Sequence, residues 1–250
     1  MKILIIGDRH VGGYGLTAGQ ISFIGHFIRQ INETGRAVSV EAYVQSTLSA
    51  VQATLAHLPL ERYDLILVQA GQGCLDHPAG LGALFAPDND TLPDLSGDLI
   101  LPDCLQVTKK VRSDGILDHV VKIGQFMLLK GLTALGKLPR QRIVQRELTN
   151  VLTVLKPHRH KVILLSPFPH REPVHQWLRQ QGRSLFMRSE VRQAFSVFDS
   201  DAVVKPRDEY FLTNDSGHLN AIGHELVGRA LFDFYLAAPT IVAIHSIRRS

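Results

Sequence analysis

The sequence has few of the features that mark exported, disulfide-stabilised or membrane-spanning proteins. Its 250 residues include only two cysteines, Cys74 and Cys104, which are too few for a disulfide framework and lack the spacing of a metal site. No apolar run approaches the ~20 residues of a membrane span, and the run after Lys2 is too short for the core of a signal peptide. We therefore expect a protein of the cytosol that is neither exported nor inserted into a membrane.

Excess charge of one sign is also lacking. The 27 Lys and Arg residues exceed the 23 Asp and Glu residues by only four, and they are scattered along the chain. A dense basic stripe interleaved with aromatic residues is missing, which argues against a nucleic-acid partner. The 45% of hydrophobic residues is ample for a large core, and nothing forces a second domain, so we expect one domain over residues 1–250.

Apolar runs that end at glycine, proline or aspartate alternate with segments of helical spacing. The runs predict strands over residues 3–6, 38–42, 64–70, 161–166 and 195–198. Helical spacing occurs over residues 16–31, 47–57, 116–138, 140–155, 173–186 and 226–235. Strands and helices that alternate in this way predict an α/β fold with a parallel sheet. Residues 74–115 are rich in Pro, Gly and Asp without a sustained period, which is typical of a long loop or an irregular insertion.

The first fifteen residues, MKILIIGDRHVGGYG, contain a candidate site. A buried strand ends at Gly7, and the ionisable residues Asp8, Arg9 and His10 follow it before a glycine-rich turn. Ligands of open α/β sheets bind at the carboxyl ends of strands, so these side chains are candidates for ligand binding. The simpler alternative is that Asp8 caps the next turn and Arg9 faces water.

A second stretch near the other end of the chain reads DSGHLNAIGH, from Asp215 to His224. Together, this stretch and GDRHVGGYGL at residues 7–16 resemble the last and first signature blocks of the SGNH or GDSL hydrolases. The strand ends in YDLILVQAGQG and VILLSPFP fall where that family has its third block and its fourth strand. The resemblance implies a flavodoxin-like, three-layer α/β/α sandwich around a mainly parallel five-stranded sheet, and hydrolysis of acyl or acetyl esters.

The resemblance also implies roles for two residues. In the family a serine attacks the ester carbonyl, a histidine takes its proton, and an aspartate three residues earlier orients the imidazole. His218 would then be the base and Asp215 its partner. One tight turn before a helix can aim both side chains at the strand ends. The alternative is that Asp215 belongs to a helix N-cap and His218 is an ordinary polar residue of the first turn.

Three positions depart from the family pattern. Arg9 stands where the family has its serine, and a guanidinium is no nucleophile. The third block reads Gly71, Gln72, Gly73 in place of Gly-x-Asn, so the amide that would stabilise the oxyanion is missing at its usual place. Ser46 aligns with the second-block glycine.

These departures predict a hydrolase fold without its standard serine chemistry, and we expect no cofactor. Losing the nucleophile of such a triad costs on the order of a million-fold in turnover. Arg9 can instead hold a carboxylate, phosphate or sulfate, or it can pair internally with Asp8 or Asp215. A small-molecule ester or an anion is therefore the expected ligand, and the sequence leaves the oligomeric state open.

Two other classes remain open. Asp8 and His10 resemble the Asp-x-His opening of calcineurin-like metallophosphoesterases, whose Asp and His bind two metal ions, although the blocks that follow in that family are missing. The second class is a non-catalytic binding module that uses the same cleft.

Overall fold

The structure is a computed structural model that describes residues 1–45, 47–69, 131, 139–238 and 241. In chain order its strands and α-helices are β1 (Lys2–Gly7), α1 (Phe23–Glu33), β2 (Ser39–Val44), α2 (Leu48–His57), β3 (Leu65–Gln69), α3 (Pro139–Leu155), β4 (Val162–Leu165), α4 (Pro173–Phe186), α5 (Ser189–Ala194), β5 (Ser196–Phe198), α6 (Ser200–Val203), β6 (Phe211–Leu212), β7 (Asp215–Leu219) and α7 (Ala221–Ala237). The predicted helix over residues 116–138 and the insertion over residues 74–115 lie outside the described residues, apart from residue 131.

Five parallel strands form the central sheet in the order β2-β1-β3-β4-β5. Ile3 of β1 lies opposite Val40 of β2 on one side and Leu65 of β3 on the other. The prediction of a parallel five-stranded sheet is confirmed. This is the flavodoxin-like strand order, in which β2 lies on one side of β1 and β3 lies on the other.

Two apolar clusters cover the two faces of the sheet. On one face the strands pack against α2, α3 and α4, and on the other they pack against α1 and α7. Strands buried on both faces need continuous apolar runs, and β1, β3 and β4 have them. Trp177 of α4 packs against the cluster formed with α2, α3 and α4. The architecture is a three-layer α/β/α sandwich.

The first helix begins later than its apolar spacing predicts. Leu16 and Ile21 continue the helical spacing, but Gly15 and Gly19 have positive φ angles of 81° and 89°, which an α-helix does not contain. The helix starts after Ser22, whose side chain accepts a hydrogen bond from the Gly25 amide. The residues before it remain available to build the loop above the sheet.

Helix α7 crosses α1 closely on the second face. A Cβ at Gly228 would lie 2.6 Å from the Phe23 carbonyl oxygen, and His224 accepts a hydrogen bond from the Phe23 amide at 3.0 Å. Within the described ranges, no helix has the length and apolarity that crossing a membrane requires.

Candidate active site

The candidate site lies where the carboxyl end of β1 faces the two-stranded sheet formed by β6 and β7. β1 and β3 are the neighbours at which the strand connections change direction, and ligands of such sheets bind at this point. The loop after β1 supplies Asp8, Arg9, His10 and Tyr14. The segment before α7 supplies Asp215 and His218.

Backbone hydrogen bonds fold the loop after β1 into successive turns. The Val11 amide donates to the Asp8 carbonyl at 3.0 Å, and the Tyr14 amide donates to the Arg9 carbonyl at 3.1 Å. A Cβ at Gly7 would lie 2.6 Å from Val11 and 2.8 Å from the Gln69 amide oxygen. Glycine at this position therefore lets the chain turn directly over the end of β3.

Asp215 and His218 form a hydrogen-bonded pair. Asp215 Oδ2 lies 2.7 Å from His218 Nδ1, and Asp215 Oδ1 accepts from the Gly217 amide at 2.9 Å. Burial raises the pKa of Asp215, but the His218 contact and the Gly217 amide outweigh burial and hold that pKa well below its usual range. An ionised Asp215 requires the proton of His218 on Nδ1, which leaves Nε2 as an acceptor.

His218 Nε2 is buried and makes no hydrogen bond with any described residue. An imidazole held by a carboxylate on one nitrogen and free on the other has the arrangement of a general base. The structure therefore brings together the two residues that the sequence paired.

The local structure around this pair differs from the prediction. Asp215 and His218 lie in strand β7, which pairs antiparallel with β6, and not in a turn at the start of a helix. The residue that caps α7 is Asn220, whose side chain accepts from the Gly223 amide at 3.0 Å and donates to the Glu209 carbonyl at 2.8 Å. The alternative that Asp215 is a cap residue is thus wrong.

A second Asp–His pair lies beside the first. Asp8 Oδ1 is 2.8 Å from His10 Nδ1 and accepts from the His10 main-chain amide at 2.9 Å. His10 is buried, and its ring stacks on that of His218 with centroids 4.9 Å apart and an interplanar angle of 28°. His10 is therefore part of the packed site and not an exposed polar side chain of the turn.

The contacts of His10 disfavour the metallophosphoesterase alternative. Its Nδ1 faces Asp8, and its Nε2 lies 3.1 Å from the Gly217 carbonyl oxygen, so both nitrogens already have a protein partner where a metal ion would have to bind. The described part of the chain contains no group of three or more His, Cys, Asp or Glu side chains arranged to hold a metal.

Tyr14 contacts the His218 ring, and Arg9 lies over Tyr14. Arg9 is exposed, and its Cζ lies 5.5 Å from the centroid of the Tyr14 ring, within cation–π range. The Tyr14 ring is in turn 4.4 Å from the His218 ring. Within the described residues Arg9 makes no ion pair with Asp8 or Asp215, because each carboxylate faces its own histidine.

Ser216 is the hydroxyl nearest in sequence to this pair, and its geometry does not suit a displaced nucleophile. Its Oγ lies 3.5 Å from His170 Nε2, while His170 Nδ1 accepts from the Glu172 amide at 2.9 Å. A neutral His170 with Nδ1 as acceptor carries its proton on Nε2. His170 then donates to Ser216 and cannot take a proton from it.

Four predicted ligand-binding residues cannot be placed. Ser46, Gly71, Gln72 and Gly73 lie outside the described residues, and so do the predicted insertion at residues 74–115 and the last residues of the chain. Their assignments stay predictions.

The positions of Tyr14 and His170 at the site were not predicted from the sequence. The signal for Tyr14 was present, because an aromatic residue between two glycines in a turn has no helix or strand to pack into and is free to cover a neighbouring group. His170 gave no such signal, since it follows β4 in a Pro-rich segment and meets β7 only through the fold.

In sequence, no family model and no curated protein matches the chain. In structure, it is similar to the lipase Lip_vut3 from a goat rumen metagenome, with a TM-score of 0.58, 16% identity, and 97% of this chain and 99% of that chain covered. It is also similar to an acetyl xylan esterase, Axe2, from Geobacillus stearothermophilus, with a TM-score of 0.54, 15% identity and 93% of each chain covered.

A protein of the G-D-S-L family from Desulfitobacterium hafniense DCB-2 gives a TM-score of 0.54 at 13% identity, with 93% of this chain and 98% of that chain covered. Identities this low establish a common fold and do not transfer an activity. The resemblance seen in the two sequence blocks is therefore confirmed at the level of the fold.

Proposed function

From the premise that the chain has the SGNH hydrolase fold, we propose that it is a hydrolase-like protein whose standard serine-esterase activity is lost. The observation that carries the proposal is the position of Arg9. It follows Asp8 at the end of β1, where the family has its serine, and its guanidinium lies over the Tyr14 ring, which itself contacts the His218 ring. The base is retained while the group that it would deprotonate is replaced.

Neither Arg9 nor Ser216 can act as the nucleophile, which supports this proposal. A guanidinium remains protonated and has no lone pair for attack on an ester carbonyl. The hydroxyl of Ser216 is oriented toward His170, as its distance to Nε2 indicates. Without a nucleophile, the Asp215–His218 pair has no hydroxyl to deprotonate, and no acyl intermediate can form.

We further propose that the cleft binds a small anionic ligand or the acidic part of an ester. Arg9 is exposed and forms no ion pair with an acidic side chain in the described ranges. A guanidinium in this state presents several donors in one plane, which suits a carboxylate, phosphate or sulfate. The binding-module alternative thus uses the same residue that removes the esterase activity. We keep the cytosol as the proposed location because the sequence has only two cysteines.

Arg9→Ser tests the loss of the nucleophile. We expect the wild-type protein to hydrolyse p-nitrophenyl acetate no faster than buffer, and Arg9→Ser to gain hydrolysis because a hydroxyl then stands beside the Asp215–His218 pair. The matched control is the double variant Arg9→Ser, His218→Ala, in which any gain should disappear. If the wild type hydrolyses the ester and both Arg9→Ala and His218→Ala do so too, the interpretation that His218 is a retained base is contradicted. If the wild type hydrolyses the ester and only His218→Ala loses this activity, the proposed loss of esterase activity is contradicted.

Arg9→Gln tests the anion site. Isothermal titration with inorganic phosphate and with acetate should show binding to the wild type that weakens by about tenfold or more in Arg9→Gln, the effect of losing a hydrogen bond to a charged group. Arg29→Gln, a change at an arginine of α1 that pairs with Glu33, is the control for a change in net charge. Equal weakening in both variants would mean that only the net charge of the protein matters, which would contradict an anion site at Arg9.

A further inference from the structure

The Asp8–His10 pair is not used by the proposed function. Asp8 and His10 are both buried, and the pair lies between β1 and the segment that holds Asp215 and His218. The contacts of His10 determine where its protons lie.

Both ring nitrogens of His10 face groups that only accept hydrogen bonds. Nδ1 lies 2.8 Å from the Asp8 carboxylate, and Nε2 lies 3.1 Å from the Gly217 carbonyl oxygen. A neutral imidazole has one donor nitrogen, so it can satisfy one of these contacts but not both. Two donors require the imidazolium form.

An ionised Asp8 agrees with two donor nitrogens on the His10 ring. Burial raises the pKa of Asp8, but the charge of His10 and its ring and main-chain N–H groups outweigh burial and hold that pKa well below its usual range. Arg179 adds a smaller effect in the same direction. A buried charge persists when it is paired and hydrogen-bonded, and this pair meets both conditions.

Gly217, which accepts from His10, lies between Asp215 and His218 in the chain. Its amide donates to Asp215 Oδ1, while its carbonyl accepts from His10 Nε2. Both main-chain polar groups of Gly217 are therefore hydrogen-bonded to site residues. The His10 ring also stacks on His218. His10 therefore contacts the Asp215–His218 pair through the main chain and through a ring face.

The surroundings leave this segment little room to move away. A Cβ at Gly217 would lie 3.0 Å from the His170 ring and 3.4 Å from Arg179. On its other side His10 packs edge-on against Phe168, with centroids 4.9 Å apart.

We propose that His10 is a positioning residue: a buried, doubly protonated imidazole that anchors the Gly217 carbonyl and thereby holds His218 in the tautomer and orientation set by Asp215. The importance of His218 as a base rests on the proposed function. The anchoring itself does not, because it concerns protons and hydrogen bonds that are measurable without any activity.

Nuclear magnetic resonance of the 15N-labelled histidine rings tests the proposal in the full chain. At pH 7 the wild type should show protons on both ring nitrogens of His10 and a proton on Nδ1 of His218. In Asp8→Asn, His10 should lose one ring proton, because the negative charge is gone and the asparagine NH2 group can donate to an unprotonated Nδ1. His57→Gln, at the exposed end of α2, is the control and should change neither signal.

His10→Leu removes the donor to Gly217 and the stacked ring. The Nδ1 proton of His218 should then exchange with water about tenfold faster, the effect of losing one hydrogen bond from a charged donor. His10→Gln, whose amide can donate to the same carbonyl, should recover part of the protection. A mere packing role would make the two variants alike.

Two results overturn the proposal: a single ring proton on His10 in the wild type at pH 7, or unchanged exchange of the His218 proton in a folded His10→Leu. If His10→Leu does not fold, the wild-type and Asp8→Asn spectra decide. Failure of Arg9→Ser to gain esterase activity would leave these spectra unaffected, so the two proposals fail separately.

Discussion

Tyr14 and His218 show how one residue controls access to another. Tyr14 is 47% exposed, yet its ring lies 4.4 Å from that of His218, whose Nε2 is buried. Gly13 and Gly15 on either side have φ angles of 72° and 81°, which glycine adopts without strain. The phenol ring therefore lies against an imidazole whose Nε2 has no partner in the described structure.

We predict that Tyr14→Ala opens the site to solvent. Diethylpyrocarbonate, which modifies accessible neutral imidazoles, should react with His218 about tenfold faster in Tyr14→Ala than in the wild type, as expected when a local opening becomes easier by ~1.4 kcal/mol. Mass spectrometry of the modified peptide identifies the site. Tyr14→Phe retains the ring and should react like the wild type. Equal rates in all three proteins would show that Tyr14 does not cover Nε2.

The site residues differ in how far the sequence could predict them. Asp215 and His218 were predicted because their spacing and flanking Asn and Gly match a known block, and their contact at 2.7 Å agrees with that pairing. The burial of His10 could not be predicted, because it depends on the groups that the fold places beside its two ring nitrogens. One partner is its neighbour Asp8, but the other is a carbonyl more than two hundred residues away.

At the scale of elements, local apolar patterns predicted the strands that are buried on both faces. β1, β3 and β4 each contain a continuous apolar run, and their predicted positions were correct within one or two residues. β7 was missed because its sequence, DSGHL, has neither an apolar run nor an alternating pattern. Its strand conformation depends on pairing with β6, which the sequence does not indicate.

The crossing of α1 and α7 leaves no room for one added methyl group at Gly228. A Cβ at Gly228 would lie 2.5 Å from the His26 Cβ and 2.6 Å from the Phe23 carbonyl oxygen, distances that force the helices apart. Overpacking of this kind costs about 1–3 kcal/mol, and it outweighs the gain of up to ~1 kcal/mol in helix propensity from glycine to alanine.

We therefore predict that Gly228→Ala lowers the free energy of unfolding by about 1–2 kcal/mol, the overpacking cost less the propensity gain. Urea denaturation measures this change. Gly12→Ala is a suitable control, because a Cβ at Gly12 would meet its nearest neighbour at 3.6 Å, an ordinary contact. A Gly228→Ala protein as stable as the Gly12→Ala protein would mean that α1 and α7 are separated more widely than described.

At the scale of the whole molecule, the parallel sheet and its two covering layers bring the two ends of the chain to one place. The end of β1 lies in the first ten residues and β7 in the last forty, yet the His10 and His218 rings stack. Sequence pattern predicted the layers, while the exact meeting of these two segments follows from the three-dimensional path between them. The same convergence buries several histidines together, and the free energy of unfolding should therefore depend on pH.

His224 contributes most clearly to that dependence. Burial, and to a lesser extent the charge of His10, lowers its pKa from 6.5 to about 3, and its Nδ1 must stay unprotonated to accept from the Phe23 amide. Between pH 6.5 and 3, His224 therefore binds a proton in the unfolded chain but not in the folded chain. The stabilisation is fully present above pH 6.5 and is lost as the pH falls toward 3.

We predict that the free energy of unfolding decreases by on the order of 2 kcal/mol between pH 6.5 and 4.5, at ~1.4 kcal/mol for each pH unit. Below pH 4 it should fall further, because the pKa values of Asp8 and Asp215 are also lowered in the folded state and their stabilisation is lost there. Urea denaturation at several pH values measures both ranges. His224→Gln should be less stable at pH 7 but should show a flatter dependence between pH 6.5 and 4.5. A wild-type free energy of unfolding that stays constant over that range would contradict a neutral, buried His224 between α1 and α7.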